Sequence, residues 1–354
     1  MTPIDRSQVR RILIRANNWI GDVVMISPAV RAIRENFQGA RIAILAKRWV
    51  LETLGGNPYY DDLIEYDSDG RHRGAPGVWR LSRELRLVRF DLAVLFQKAF
   101  EAAAIAFLAG ARMRFGYATD RRGALLTHPL PDPPAGVHHV EAFLGIARGL
   151  GCTVRDPRPF FHLDPDARRR VAALLETSRH PGGAPLVALH PGASKAPRAW
   201  HADRFALLGR RLVERARASI VLLGGPEDRD LLRAVAAGVP ARSRVDLPDG
   251  LSIQEMAGVL ERSALFVGND SGPMHLAAAL GAPVVAIFGP GSPRRTSPVP
   301  REGGLEVIGG DYPCSPCRQD FFRECPSSPA GKPFCLEEIT VDEVEAAALR
   351  LLRT

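Results

Sequence analysis

The sequence lacks any long apolar run. The longest, at 102–110, falls far short of the ~20 residues a membrane-spanning helix needs, so no transmembrane span is expected. A signal-peptide pattern is also missing. Arg10, Arg11 and Arg15 interrupt any apolar core near the start, which makes a cytoplasmic location the expectation. Aromatic residues are scarce at 7%, and no basic stripe interleaves with them. Nucleic acid is therefore not an expected partner. Only five cysteines occur. One of them, Cys152, stands alone after Gly151 and reads as a small apolar residue. The turn at 17–22 lacks the third glycine of a dinucleotide fingerprint, so NAD binding is poorly supported.

What is present points to a globular α/β protein. At 354 residues the chain has room for about two domains of ~150 residues each. The formal charge of +8 favours an acidic partner, either nucleotide phosphates or an anionic lipid surface. The plain alternative is an arginine-rich composition without functional meaning. Strands are expected at 11–14, 41–45 and 91–96, then at 186–189, 220–223, 264–267 and 284–288. Helices are expected at 23–37, 79–88, 101–108 and 139–150, then at 204–215, 227–236, 253–260 and 273–280. Short apolar runs bounded by Gly and Pro suit buried parallel strands. Ser252 and Glu255 form a capping box at the start of one helix. The two halves open alike, each with an apolar strand running into a glycine-containing turn. This implies two Rossmann-like domains with parallel sheets facing across a cleft. The proline-rich stretch 156–185 marks the join. The domains are placed at 1–165 and 166–339, with the final helix, 340–354, packing back on the first.

Four turns carry possible chemistry. In the first, Asp22 stands at the head of an amphipathic helix. It reads either as a helix N-cap or as a general base at the carboxyl edge of the sheet. The second, 190–200, has small residues for close ligand approach, with Lys195 and Arg198 able to neutralise a diphosphate. A solvated loop is the alternative, and Trp200 reads as core. In the third, Glu227 serves either a helix dipole or ribose hydroxyls. The fourth is Asp270-Ser271-Gly272 with His275, where a strand feeds a helix opened by Pro273. Free amides at such a helix start bind phosphate, and open α/β sheets place ligands at this kind of edge. His275 is either structural or a nucleotide contact. Separately, Cys314, Cys317, Cys325 and Cys335 cluster with spacing Cys-x2-Cys-x7-Cys-x9-Cys inside segment 312–336. In a cytoplasmic protein this suggests a structural knot of zinc or iron, with reduced thiols or late disulfides as alternatives.

These loops, in this order, resemble glycosyltransferase family 9, the ADP-heptose-dependent lipopolysaccharide heptosyltransferases. The resemblance runs from residue 11 to the last helix. Its most specific part is Phe-Val-Gly-Asn-Asp-Ser-Gly-Pro-Met-His at 266–275, followed by Leu-Ala-Ala-Ala-Leu-Gly-Ala-Pro. Asn-Trp-Ile-Gly-Asp-Val-Val at 18–24 is closer to the branch adding the second inner-core heptose than to the first. The resemblance implies a GT-B fold, with acceptor on the first domain and ADP-heptose on the second. It implies inverting transfer to a heptose of the lipid A-core acceptor. Asp22 falls on the family's catalytic aspartate, and Asp270, Ser271 and Gly272 fall on its diphosphate motif. His275 and Glu227 fall on its histidine and glutamate, and Leu251 on a position lining the adenine pocket. The family's lysine falls on Arg198, which leaves the phosphate cation open between Lys195 and Arg198. The resemblance further implies that catalysis needs no cofactor and takes place at the inner face of the inner membrane. Other sugar-nucleotide enzymes of this fold, epimerases or hydrolases among them, and a non-catalytic nucleotide-sugar binder are the alternatives.

Overall fold

The computed structural model describes residues 4–178, 183–248, 250–310, 312–314, 317, 325, 328–329 and 331–353. The chain divides into two compact units, Met1–His162 and Leu163–Thr354. The first holds strands β1 (Arg11–Arg15), β2 (Arg41–Ala46), β3 (Asp62–Glu65), β4 (Leu92–Leu95), β5 (Met113–Tyr117) and β6 (His128–Leu130). Its helices are α1 (Ile20–Asn36), α2 (Arg48–Leu54), α3 (Gly74–Val88), α4 (Phe100–Leu108) and α5 (His139–Gly149). The second holds β7 (Leu186–His190), β8 (Ser219–Leu222), β9 (Arg244–Val245), β10 (Leu265–Asn269), β11 (Val284–Phe288) and β12 (Leu305–Gly309). Its helices are α6 (Pro165–Thr177), α7 (Ala202–Ala216), α8 (Arg229–Ala237), α9 (Ile253–Glu261), α10 (Gly272–Ala279), α11 (Pro293–Thr296), α12 (Phe334–Glu337) and α13 (Val341–Leu352).

Each unit has one six-stranded sheet, and the strand pairs are parallel. The orders are β3-β2-β1-β4-β5-β6 and β12-β11-β10-β7-β8-β9. Read from the other edge, the second repeats the first, with β7 in the place of β1 and β10 in the place of β4. Strand order reverses between β1 and β4 and between β7 and β10. In doubly wound sheets the crevice at the carboxyl ends of such a strand pair takes the ligand. Those ends lead into residues 16–22 in one unit, and into residues 191–200 and 270–272 in the other.

The central strands are apolar and buried throughout, Ile12 to Ile14 and Leu265 to Val267 among them. Five strands escape the apolar-run rule: β3, β5, β6, β9 and β12. β9 spans two residues and β6 three. β5 carries Arg114 and Gly116, while β3 and β12 are only half buried. Strands at or near a sheet margin have a wet side, so their sequence carries no apolar block. The last helix, expected against the first domain, instead buries Val344, Ala347 and Ala348 in the core of the second unit beside α7. No helix among the described residues is long and apolar enough to cross a membrane.

Candidate active site

In the first unit, β1 ends on Arg15, a buried arginine that the sequence reading did not single out. Its guanidinium donates to the Ala16 carbonyl at 2.6 Å and to Asn18 Oδ1 at 3.1 Å, and lies over the Tyr66 ring at 5.2 Å. Burial pushes its pKa down to about 10. The side chain braces the turn from inside, and the only sequence signal for it is a charge closing a buried strand. Trp49 Nε1 adds a bond to the Asn18 carbonyl at 2.9 Å.

Helix α1 begins at Ile20 with Trp19 in the cap position, and no side chain caps it. Asp22 is the third residue of the helix, so the N-cap reading does not hold. Its carboxylate accepts from Asn17 Nδ2 at 3.3 Å and lies 3.9 Å from His139 Nδ1, the ring opening α5. With a fifth of its side chain exposed, it is reachable and lightly held, as a proton acceptor must be.

In the second unit the loops lock together. Asn269, fully buried at the end of β10, accepts from the Trp200 amide at 2.9 Å and donates to the Pro191 carbonyl at 2.8 Å. One amide side chain thus fixes both ends of the loop after β7. Trp200 is core, with its indole N–H on the Ile339 carbonyl at 3.0 Å. Arg198 is ion-paired with the Asp270 carboxylate and also donates to the Asp270 carbonyl at 3.3 Å. Lys195 is exposed on the same loop. The charge of Arg198 is thus directed at Asp270.

Ser271 occupies the cap position of α10, but its side chain caps nothing. Its hydroxyl lies 3.4 Å from Nδ1 of His190, a buried ring stacked on Phe266. Burial holds the His190 pKa below the ordinary histidine range, against the opposing charges of Asp228 and Glu227. Gly272 opens the helix, and His275 is buried one turn in. A Cβ on Gly291 would run into the Asp270 carboxylate, so a side chain there would displace it.

After β8 the two acids divide their tasks. Asp228 caps the turn by accepting from the Gly225 amide at 2.9 Å. Its carboxylate also fills the space where a Cβ on Gly192 would stand, at 2.6 Å. Glu227 is exposed and makes no hydrogen bond among the described residues. Asp228 is thus the acid engaged at this helix start. Beside this turn lies a cavity of about 140 Å³ lined by Leu222, Gly224, Gly225, Leu247, Leu251 and Met256. Arg229 also lines it, so aliphatic side chains and a cation surround the glycine turn.

Cys314, Cys317, Cys325 and Cys335 share a neighbourhood. None is in a disulfide. Burial and the charges of Cys314, Cys325 and Cys317 push the Cys335 thiol up to about 11. Among the described residues, however, no three of His, Cys, Asp and Glu are placed to hold a metal ion. Cys335 is buried in α12 while Cys314 is exposed. Cys152 is buried, and its thiol is pushed up to about 11 mainly by burial, which makes it inert.

A family model described as glycosyltransferase family 9 (heptosyltransferase) matches residues 78–326. Lipopolysaccharide heptosyltransferase 2 of Escherichia coli K12 is 26% identical over 299 residues, which is 82% of this chain and 85% of that one. A solved family 9 glycosyl transferase from Veillonella parvula superposes with a TM-score of 0.84 at 21% identity, covering 99% of both chains. The E. coli ADP-heptose lps heptosyltransferase II structure gives 0.77 at 23% identity, covering 97% of this chain and 98% of that one. The two structural likenesses establish the GT-B fold.

Proposed function

The chain belongs to glycosyltransferase family 9, and on that premise we propose that it moves a heptose from ADP-heptose to a heptose of the lipopolysaccharide inner core, with inversion at the anomeric carbon. Asp22 takes the proton of the acceptor hydroxyl as that oxygen attacks. The bond to the diphosphate breaks, and ADP leaves with added negative charge. Lys195, the Ser271 hydroxyl and the amides opening α10 meet that charge. In this reading they do what a divalent metal does in other transferases, and a chelator leaves turnover unchanged. The cavity beside Leu251 takes the adenine, and Glu227 accepts from the ribose hydroxyls. The enzyme meets its lipid-borne acceptor as a peripheral protein on an anionic membrane, in keeping with its +8 charge.

The observation that carries this reading is the Asp270-Ser271-Gly272 turn, tied by Arg198 and Asn269 to the loop bearing Lys195. The test is a binding screen of ADP- and UDP-sugars, followed by transfer from the tightest donor to a heptose-bearing acceptor. Binding of ADP-heptose with transfer to the acceptor is expected. Epimerised or hydrolysed donor without transfer would replace this reading with another enzyme of the fold. A structural zinc or iron at Cys314, Cys317, Cys325 and Cys335 is a separate proposal, and the four thiols would have to draw together to hold it. Metal analysis finding about one ion per chain supports it, and metal-free folded protein ends it.

A further inference from the structure

A groove of about 440 Å³ lies on the helical layer of the first unit, between α3, the end of α4 and the start of β5. Four arginines line it, Arg83 and Arg86 from α3 with Arg112 and Arg114 at β5, and no acidic residue does. The Arg83 guanidinium stacks over Trp79 at 4.8 Å, and that of Arg114 over Phe107 at 5.2 Å. Two carboxylates stand nearby, and both are engaged. Asp91 lies 3.7 Å from Arg112 but takes the Arg10 and Arg11 amides at 2.8 and 3.0 Å. Glu84, the acid of α3, pairs with Arg71 and lies 3.5 Å from His72.

The rim is apolar. Trp79 is 55% exposed, Leu87 84%, Phe107 49% and Leu108 41%. On α3 the residues at 79, 83, 86 and 87 recur at helical spacing and share one face. Isolated exposed leucines are ordinary on any surface. Four large apolar side chains around one arginine-lined groove form a patch, and patches mark contact sites.

We propose that this face docks on an anionic phospholipid surface, with Arg83, Arg86 and Arg112 meeting the headgroup phosphates while Trp79, Leu87, Phe107 and Leu108 enter the interface; Arg114, held by the Ala111 and Leu125 carbonyls at 2.6 Å each, adds its charge from behind. Arginine stems and indoles suit that boundary, because each joins an apolar body to a polar end. Basic residues near an anionic leaflet add attraction to the burial of apolar area. A nucleic acid would satisfy the arginines and leave Leu87 and Leu108 wet. A symmetric contact with a second copy would set four arginines against four. Position also fits. Phe107 and Leu108 end α4, and Arg112 precedes β5, so the groove lies toward the amino edge of the sheet. The Asp22 turn is at the carboxyl edge and stays uncovered.

The inference names a surface for the peripheral attachment proposed above and rests on that reading, but lipid binding and sugar transfer are measured separately. The full chain is sedimented with vesicles of phosphatidylcholine, with and without phosphatidylglycerol. The wild type is expected to bind the mixed vesicles and to be released by high salt. Arg83→Ala with Arg86→Ala should weaken binding roughly 30-fold, about fivefold per arginine. Leu87→Ser should weaken it about tenfold. Both variants should transfer sugar to a lipid-free acceptor at the wild-type rate, which also shows that they fold. Undiminished binding by the double variant would overturn the proposal. So would equal binding of the wild type to neutral vesicles, or self-association that Leu87→Ser abolishes. Vesicle binding without any sugar transfer would sink the proposed reaction and leave this surface standing.

Discussion

The two units share one topology and finish it differently. At the reversal point of the second sheet, the loops are bound to one another. Asn269 holds both ends of the loop after β7, Arg198 holds Asp270, and Asp228 presses on Gly192. At the reversal point of the first sheet, the turn is braced from beneath by Arg15, and Asp22 keeps one 3.3 Å hydrogen bond and a histidine at 3.9 Å. Trp19 and Trp49 stand exposed beside it. On the proposed reaction, the difference is a division of labour. A diphosphate is the same in every turnover, so a preformed cradle binds it without ordering cost. A proton acceptor has to meet a substrate hydroxyl and gains nothing from being fully bonded beforehand.

The largest effect expected from this contrast is chemical. Asp22→Asn should lower transfer by about 10²- to 10⁴-fold, the range of a lost general base. ADP affinity, measured by calorimetry, should not change. Weakened ADP binding in that variant would break the division between the units. Next comes stability. Asn269→Ala orphans the Trp200 amide and the Pro191 carbonyl, and should cost about 3 kcal/mol in denaturant unfolding. A loss below about 0.5 kcal/mol would show that the loops are not locked by that side chain.

Lys195→Ala should weaken ADP binding about tenfold, the loss of one charge-assisted contact, measured by calorimetry. Arg198→Ala should lower the unfolding midpoint as well, because it leaves the Asp270 carboxylate without its counter-ion. The smallest effect concerns pH. Folded His190 binds its proton less readily than the unfolded chain does, so below the ordinary value of 6.5 the unfolded state carries more protons. Its contribution to stability is complete above that value and is lost as pH falls. Urea midpoints at about pH 7.5 and about pH 5.5 should therefore differ more in the wild type than in His190→Asn.

The same contrast sets how far the sequence could be read. The fold was legible because both central strand groups are apolar runs flanked by glycine turns, and because the two halves repeat. The marginal strands were not, since β5 carries Arg114 and β9 is two residues long. In the second unit the candidate ligand residues fall in contiguous motifs, where local pattern carries most of the information. What escaped were side chains whose role depends on distant partners. Arg15 serves the turn after it only because β1 buries it, and Asn269 matters through Trp200, sixty-nine positions away. His190, at the end of β7, is the buried neighbour of Ser271, eighty-one positions away. The four cysteines are a pattern of another kind, since their spacing suggests a metal knot while, among the described residues, no three possible ligands are placed to hold an ion. The final helix lies on its own unit because its apolar face matches α7, a match that no local pattern specifies.

The central claim is that one carboxylate on the first unit activates an acceptor for a single displacement at a sugar held by its diphosphate on the second. The anomeric configuration of the transferred heptose, read by NMR against that of the donor, tests it most directly. The account predicts inversion in the wild type. Retention would require a second displacement and a nucleophile that this account does not contain, and would contradict it.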